Sequence, residues 1–151
     1  MALNTTFVAG NILTAAQMNN LPFGVAGKAE NTSLSQTVTT LTDLTSLSVT
    51  FTGVAGRLYR VEGRCLLKTT EGTNPGTLLV RNSSNTILQL AIIDCQLANQ
   101  DYSAYVSSYL TATGSTTLKL SAQRQAGSGT FTASSGATFP AQILVTDVGL
   151  A

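Results

Sequence analysis

The chain has 151 residues, the length of one domain, and 10% of them are charged: eight Lys plus Arg against seven Asp plus Glu, a net charge of +1. Such a balance supplies no field to draw the protein onto nucleic acid or an acidic membrane. There is no His, which excludes Ser/His/Asp and Cys/His nucleophile arrangements and removes the commonest metal ligand.

Hydrophobic residues make up 43% of the chain, enough for a core, and 24 Thr with 14 Ser form a quarter of it. The surface is therefore covered by hydroxyls rather than charges. With so little like-charge repulsion it is poorly protected against association, which points to a component of an assembly.

Residues 1–27 hold no ionisable side chain; the first is Lys28. This stretch contains Gly10, Gly24, Gly27 and Pro22, and its only helical signal is a short turn capped by Thr14 and ending near Asn19. It cannot build a core alone, so residues 1–30 are expected to form an extended N-terminal arm lying on a partner. Its apolar grips are Phe7, Val8, Ile12, Leu13, Met18, Leu21 and Phe23, irregularly spaced as in a segment laid into pockets of a neighbour.

The body, residues 31–151, alternates polar and apolar residues. A loose strand falls within Ser33 to Leu41. Leu47, Val49 and Phe51 alternate with Ser48 and Thr50 in a second. Tyr59, Val61, Gly63, Cys65 and Leu67 share one face of a long strand whose other face carries Arg60, Glu62, Arg64 and Lys68. Further strands are expected over Thr77 to Arg81, Thr86 to Asp94, Tyr102 to Thr111, Thr116 to Arg124, Thr130 to Ala133 and Gln142 to Val148, joined by short turn-forming segments. About nine strands with no credible helix predict an all-β fold, a jelly-roll-like antiparallel β-sandwich with an extended N-terminal arm.

Two strands are apolar on both faces. In one, Leu88, Leu90 and Ile92 oppose Ile87, Ala91 and Ile93; in the other, Ala104, Val106 and Leu110 oppose Tyr105 and Tyr109. A doubly apolar strand is normally covered twice. The second face is expected to meet another copy, making a homotrimer lined by Ile87, Ala91, Ile93, Tyr105 and Tyr109.

Cys65 and Cys95 cannot form a zinc site by themselves. Read by parity, they fall on different faces, and they are expected to stay unpaired. Asp94 and Asp101 flank one loop, but turn hydrogen bonds explain them better than paired-carboxylate chemistry. Gly127 to Gly129 reads as a hairpin turn between strands rather than a phosphate loop. No catalytic residue, metal ligand or cofactor is expected, and the protein is expected not to be an enzyme.

The opening FVAGNILTAAQMNN resembles an N-terminal phrase of tailed-bacteriophage structural proteins, carried here by Phe7, Gly10, Leu13, Thr14, Ala15, Ala16 and Asn19. The segments LSVTFTGVAGRLYRVEG, GSGTFTASS and AQILVTDVG are similar to parts of small β-sandwich virion proteins. The resemblance implies a capsid decoration protein on the outer head surface, made in the host cytoplasm. Its partners would be its own copies and the major capsid protein, with no nucleic acid and no membrane. The alternative it implies is a minor tail or tail-fibre component that binds a host surface glycan or protein.

Overall fold

The computed structural model describes residues 21–151. They form ten strands: β1 (Gly24–Asn31), β2 (Ser35–Thr37), β3 (Thr42–Gly53), β4 (Arg57–Thr69), β5 (Asn74–Asn82), β6 (Ile87–Cys95), β7 (Tyr102–Thr111), β8 (Gly114–Arg124), β9 (Phe131–Ser134) and β10 (Ala141–Leu150). Every pairing is antiparallel.

One sheet runs β3-β8-β5-β6. In the other, β4 is central. Residues 58–64 of β4 pair β10 and β7 at once, so these two strands flank β4, and β1 lies beyond β10. The last turn of β4 pairs β9, which carries β2. The resulting orders, β1-β10-β4-β7 and β3-β8-β5-β6, come from a chain that changes sheet at every step from β3 to β9 except β5 to β6. This is the double Greek key of a jelly roll, so the expected antiparallel β-sandwich is the observed fold.

The alternation read from sequence places the core. Tyr59, Val61, Cys65 and Leu67 of β4 point inward with Ile143 and Val145 of β10; Leu47, Val49, Phe51, Leu78, Val80, Leu118 and Leu120 meet them from the other sheet. The Tyr59 hydroxyl accepts a hydrogen bond from the Val54 amide at 2.9 Å, and its ring packs on Phe51 with centroids 5.0 Å apart. The close approach of the sheets is kept by glycines: a Cβ at Gly76 would lie 2.0 Å from Phe131 Cζ.

Four details differ from the sequence reading. Residues 24–30, assigned to the arm, belong to β1, which hydrogen-bonds along β10 as part of the body. Gly127 to Gly129 is no hairpin turn, because β8 and β9 lie in different sheets; it is a crossover whose Gly127 and Gly129 take positive φ of 87° and 77°. The faces of β6 are reversed. The register slips between Val80 opposite Gln89 and Arg81 opposite Ile87, a bulge at Leu88. Beyond it, Ala91, Ile93 and Cys95 turn toward the core, while Leu90 and Ile92 turn to solvent. Cys95 therefore faces the core, not the outer face that its parity suggested; Cys65 and Cys95 are free and buried, and they sit in different sheets, both facing the core between them.

Candidate functional site

β6 and β7 are the edge strands of their sheets and pack against each other, so together they form one side of the sandwich. On the outer face of the β6 sheet, Ile87 (46% exposed), Leu90 (44%) and Ile92 (64%) lie in solvent, with Leu97 (65%) in the following loop. Leu79 of β5 lies opposite Leu90 and backs this patch from outside the core. On the outer face of the β7 sheet, Tyr105 (49% exposed) and Tyr109 (59%) project beside β4. Lone exposed apolar residues are ordinary; a cluster on both faces of one edge is a candidate interaction surface.

Of the five residues expected at the interface, Ile87, Tyr105 and Tyr109 are exposed around this edge. Ala91 and Ile93 are half-buried and lean on the core. Leu90 and Ile92, expected inside, take their places.

Tyr105 is held in a polar network. Its hydroxyl donates to Glu62 Oε1 at 2.5 Å and accepts from Arg60 Nη2 at 3.2 Å, while Arg60 also bonds Glu62 at 2.7 Å. Beside it lies a groove of about 190 Å³ lined by Glu62, Gly63, Arg64, Tyr105, Gln142 and Leu144. Arg64 stands out there. Among the described residues its guanidinium has no acidic partner; it stacks 5.5 Å from the Phe139 ring, and its buried Nε donates to nothing.

A second constellation fastens the residues leading into β1. Arg57, at the start of β4, is buried against Asp147 of β10, with Nε to Oδ2 at 2.5 Å and Nη2 to Oδ1 at 2.6 Å. The same guanidinium donates to the Leu21 carbonyl at 2.6 Å and lies 3.9 Å from the centroid of the Phe23 ring. The Arg57 hydrogen bonds hold the Asp147 carboxyl below the ordinary carboxylate range against the opposing effect of burial, helped by the Gly149 and Phe23 amides. Of the expected anchoring residues, Leu21 and Phe23 are exposed at this clamp. Phe7, Val8, Ile12, Leu13 and Met18 lie outside the described residues. Nothing in the sequence marks Arg57 or Asp147, because nothing local relates positions 57 and 147.

A third cluster joins β3, β5 and β8. Asp43 accepts from Ser121 Oγ at 2.6 Å, from Lys119 Nζ at 2.8 Å and from Arg81. Burial raises its pKa, but these three donors outweigh it and hold the carboxyl at about 2. The donors are tied further: Arg81 Nε donates to Ser121 and Lys119 donates to Asn85. The arrangement is that of a structural tie. Asp94 is bonded by Gln96 Nε2 at 3.1 Å and Asp101 lies 3.6 Å from Lys68 Nζ, each engaged separately. Among the described residues no three His, Cys, Asp or Glu side chains converge as metal ligands would.

No protein-family model matches the chain, and no curated protein does. Among solved structures, it is similar to a carbohydrate-binding module of Cellvibrio mixtus lichenase 5A, at 12% identity over 81% of this chain and 97% of that one, with a TM-score of 0.35. It is similar to a xylan-binding domain of Paenibacillus barcinonensis Xyn10C, at 10% identity over 87% of this chain and 99% of that one, with a TM-score of 0.35. A chain of infectious bursal disease virus, Gt strain, matches all of this chain and 42% of its own length at 12% identity and a TM-score of 0.39. Likenesses this distant carry no functional assignment.

Proposed function

We propose that the chain is a non-enzymatic structural protein of a virion, a homotrimeric decoration protein on the outer capsid surface. In this reading residues 1–23 bind the major capsid protein. The observation that carries the reading is the cluster of exposed aliphatic and aromatic side chains around the β6–β7 edge, in a chain with too few charges to keep copies apart. Two further features support it. The segment before β1 is uncharged, so it can be buried on a partner without stranding an ion. The Arg57 clamp gives that segment a rigid base. The resemblance of residues 7–19 to a bacteriophage structural phrase adds the particle.

The test is the mass of the purified protein in solution, joined to its location on purified particles. Three chains per assembly and labelling of the head shell are expected. A monomer at micromolar concentration, or labelling confined to the tail, overturns the reading.

A further inference from the structure

We infer that the two faces of the β6–β7 edge are complementary halves of one head-to-tail contact, so that the tyrosine face of one copy receives the aliphatic face of the next. The inference rests on the self-association proposed above and specifies how it is made. A contact between two different patches closes into a ring when the rotation permits; a self-complementary contact stops at two copies.

The geometry assigns the pairs. β6 ends at Cys95 and β7 starts at Tyr102, so the strands run in opposite directions along the edge. Ile92 lies three residues before the end of β6, and Tyr105 three residues after the start of β7, so the two are equally far along their strands from the connection, on opposite faces. At the other end, Ile87 lies eight residues from the end of β6 and Tyr109 seven from the start of β7. Copies related by an axis along the edge therefore bring Ile92 of one to Tyr105 of the next, and Ile87 to Tyr109. Ile92 is the projecting residue, and the groove bounded by Tyr105, Gly63, Gln142 and Leu144 is its recess. The Glu62–Arg60 network already fixes the Tyr105 hydroxyl, so its ring is offered in one orientation and little is lost on ordering it.

Charge fits the same register. Arg64 pairs with Tyr105 across β4 and β7 and has no acid on its own chain among the described residues. Asp94 lies two residues beyond Ile92 on the exposed face of β6, and Gln96 is its bonding partner. Two residues of strand span roughly 6.6 Å, within reach of a long arginine side chain. The contact gives Arg64 the carboxylate it lacks, in a setting where an ion pair fixes register.

The experiment uses the full-length chain with two single variants, Tyr105→Asp and Ile92→Asp, at exposed positions where the fold tolerates them; circular dichroism confirms that each remains folded. Each variant alone is expected to sediment as a monomer. Mixed in equal amounts, they are expected to form a one-to-one dimer, because each keeps the half that the other has lost. Arg64→Glu and Asp94→Arg are each expected to weaken the assembly at least tenfold, and the double variant to recover it. A wild-type trimer whose single variants remain trimeric, or whose mixed variants stay monomeric, overturns this contact and leaves the proposed function standing. A monomeric wild type overturns the function itself.

Discussion

Arg57 and Asp147 are buried charges in a chain that has few. Removing one partner of such a pair strands the other and typically costs about 3–5 kcal/mol. Asp147→Asn is expected to lower stability by that order, measured by denaturant unfolding. The pair also sets the acid limit. A carboxyl whose folded pKa lies below its unfolded one adds stability above the unfolded value and loses it as pH falls through the folded one. Both Asp147 and Asp43, the latter held at about 2, are of this kind. The thermal midpoint is therefore expected to be flat above about pH 5 and to fall between about pH 4 and pH 2. Asp43 is partly exposed, so solvent screens its share, and Asp43→Asn is expected to change the acid profile less than Asp147→Asn. Burial pushes the Cys65 thiol up to about 12, and burial with the nearby Asp94 charge pushes Cys95 up to about 11. Both therefore behave as small apolar residues.

At the scale of strands, legibility followed burial on one face. β4 alternates cleanly because one side meets the core and the other carries Arg60, Glu62, Arg64 and Lys68, and its inward and outward residues can be read directly; β7 is readable because its outward apolar residues are tyrosines. β6 is apolar in both parities, so periodicity cannot choose between them; the bulge at Leu88 makes the choice, and no glycine marks it. β1 reads as arm because it continues an uncharged stretch too poor in apolar residues to build a core, and its GVAGKAEN carries two glycines. Gly27 is required by packing, since a Cβ there would lie 2.6 Å from Val49 Cγ2. What looks like loop chemistry is thus the mark of a strand pressed against the opposite sheet. The same logic predicts that Gly76→Ala, driven into Phe131, costs about 1–3 kcal/mol. Gly136→Ala, with nothing within 4 Å, is expected to be neutral. Urea unfolding of the two variants side by side checks the contrast.

For the whole molecule, β1 belongs to the body, because it completes a sheet and Phe23 before it lies over Arg57. Cutting the chain before Leu21 is expected to leave folding and self-association unchanged while abolishing attachment to particles. Cutting before Lys28 removes half of β1 and the Phe23 contact, and is expected to lower the thermal midpoint as well. Calorimetry of both truncations, with their occupancy on particles, separates the two effects. Attachment by the uncharged segment is expected to hold as salt is raised from about 0.1 to 1 M, where exposed ion pairs are screened.

The Arg57 clamp is also a mechanical part. A load applied at Leu21 meets Arg57, which holds its carbonyl. A pull along β1 loads its whole ladder on β10, from Gly24 to Asn31, in shear, so that the pairs must yield together. A pull away from the sheet would instead peel the pairs one at a time, starting at Gly24. The buried Arg57–Asp147 pair stands at that end, with Asp147 directly opposite Gly24. Peeling cannot begin until the Leu21 carbonyl and the Phe23 ring leave the Arg57 guanidinium and the Phe23 amide leaves Asp147, so the end of the strand that would fail first is the one that is bolted down.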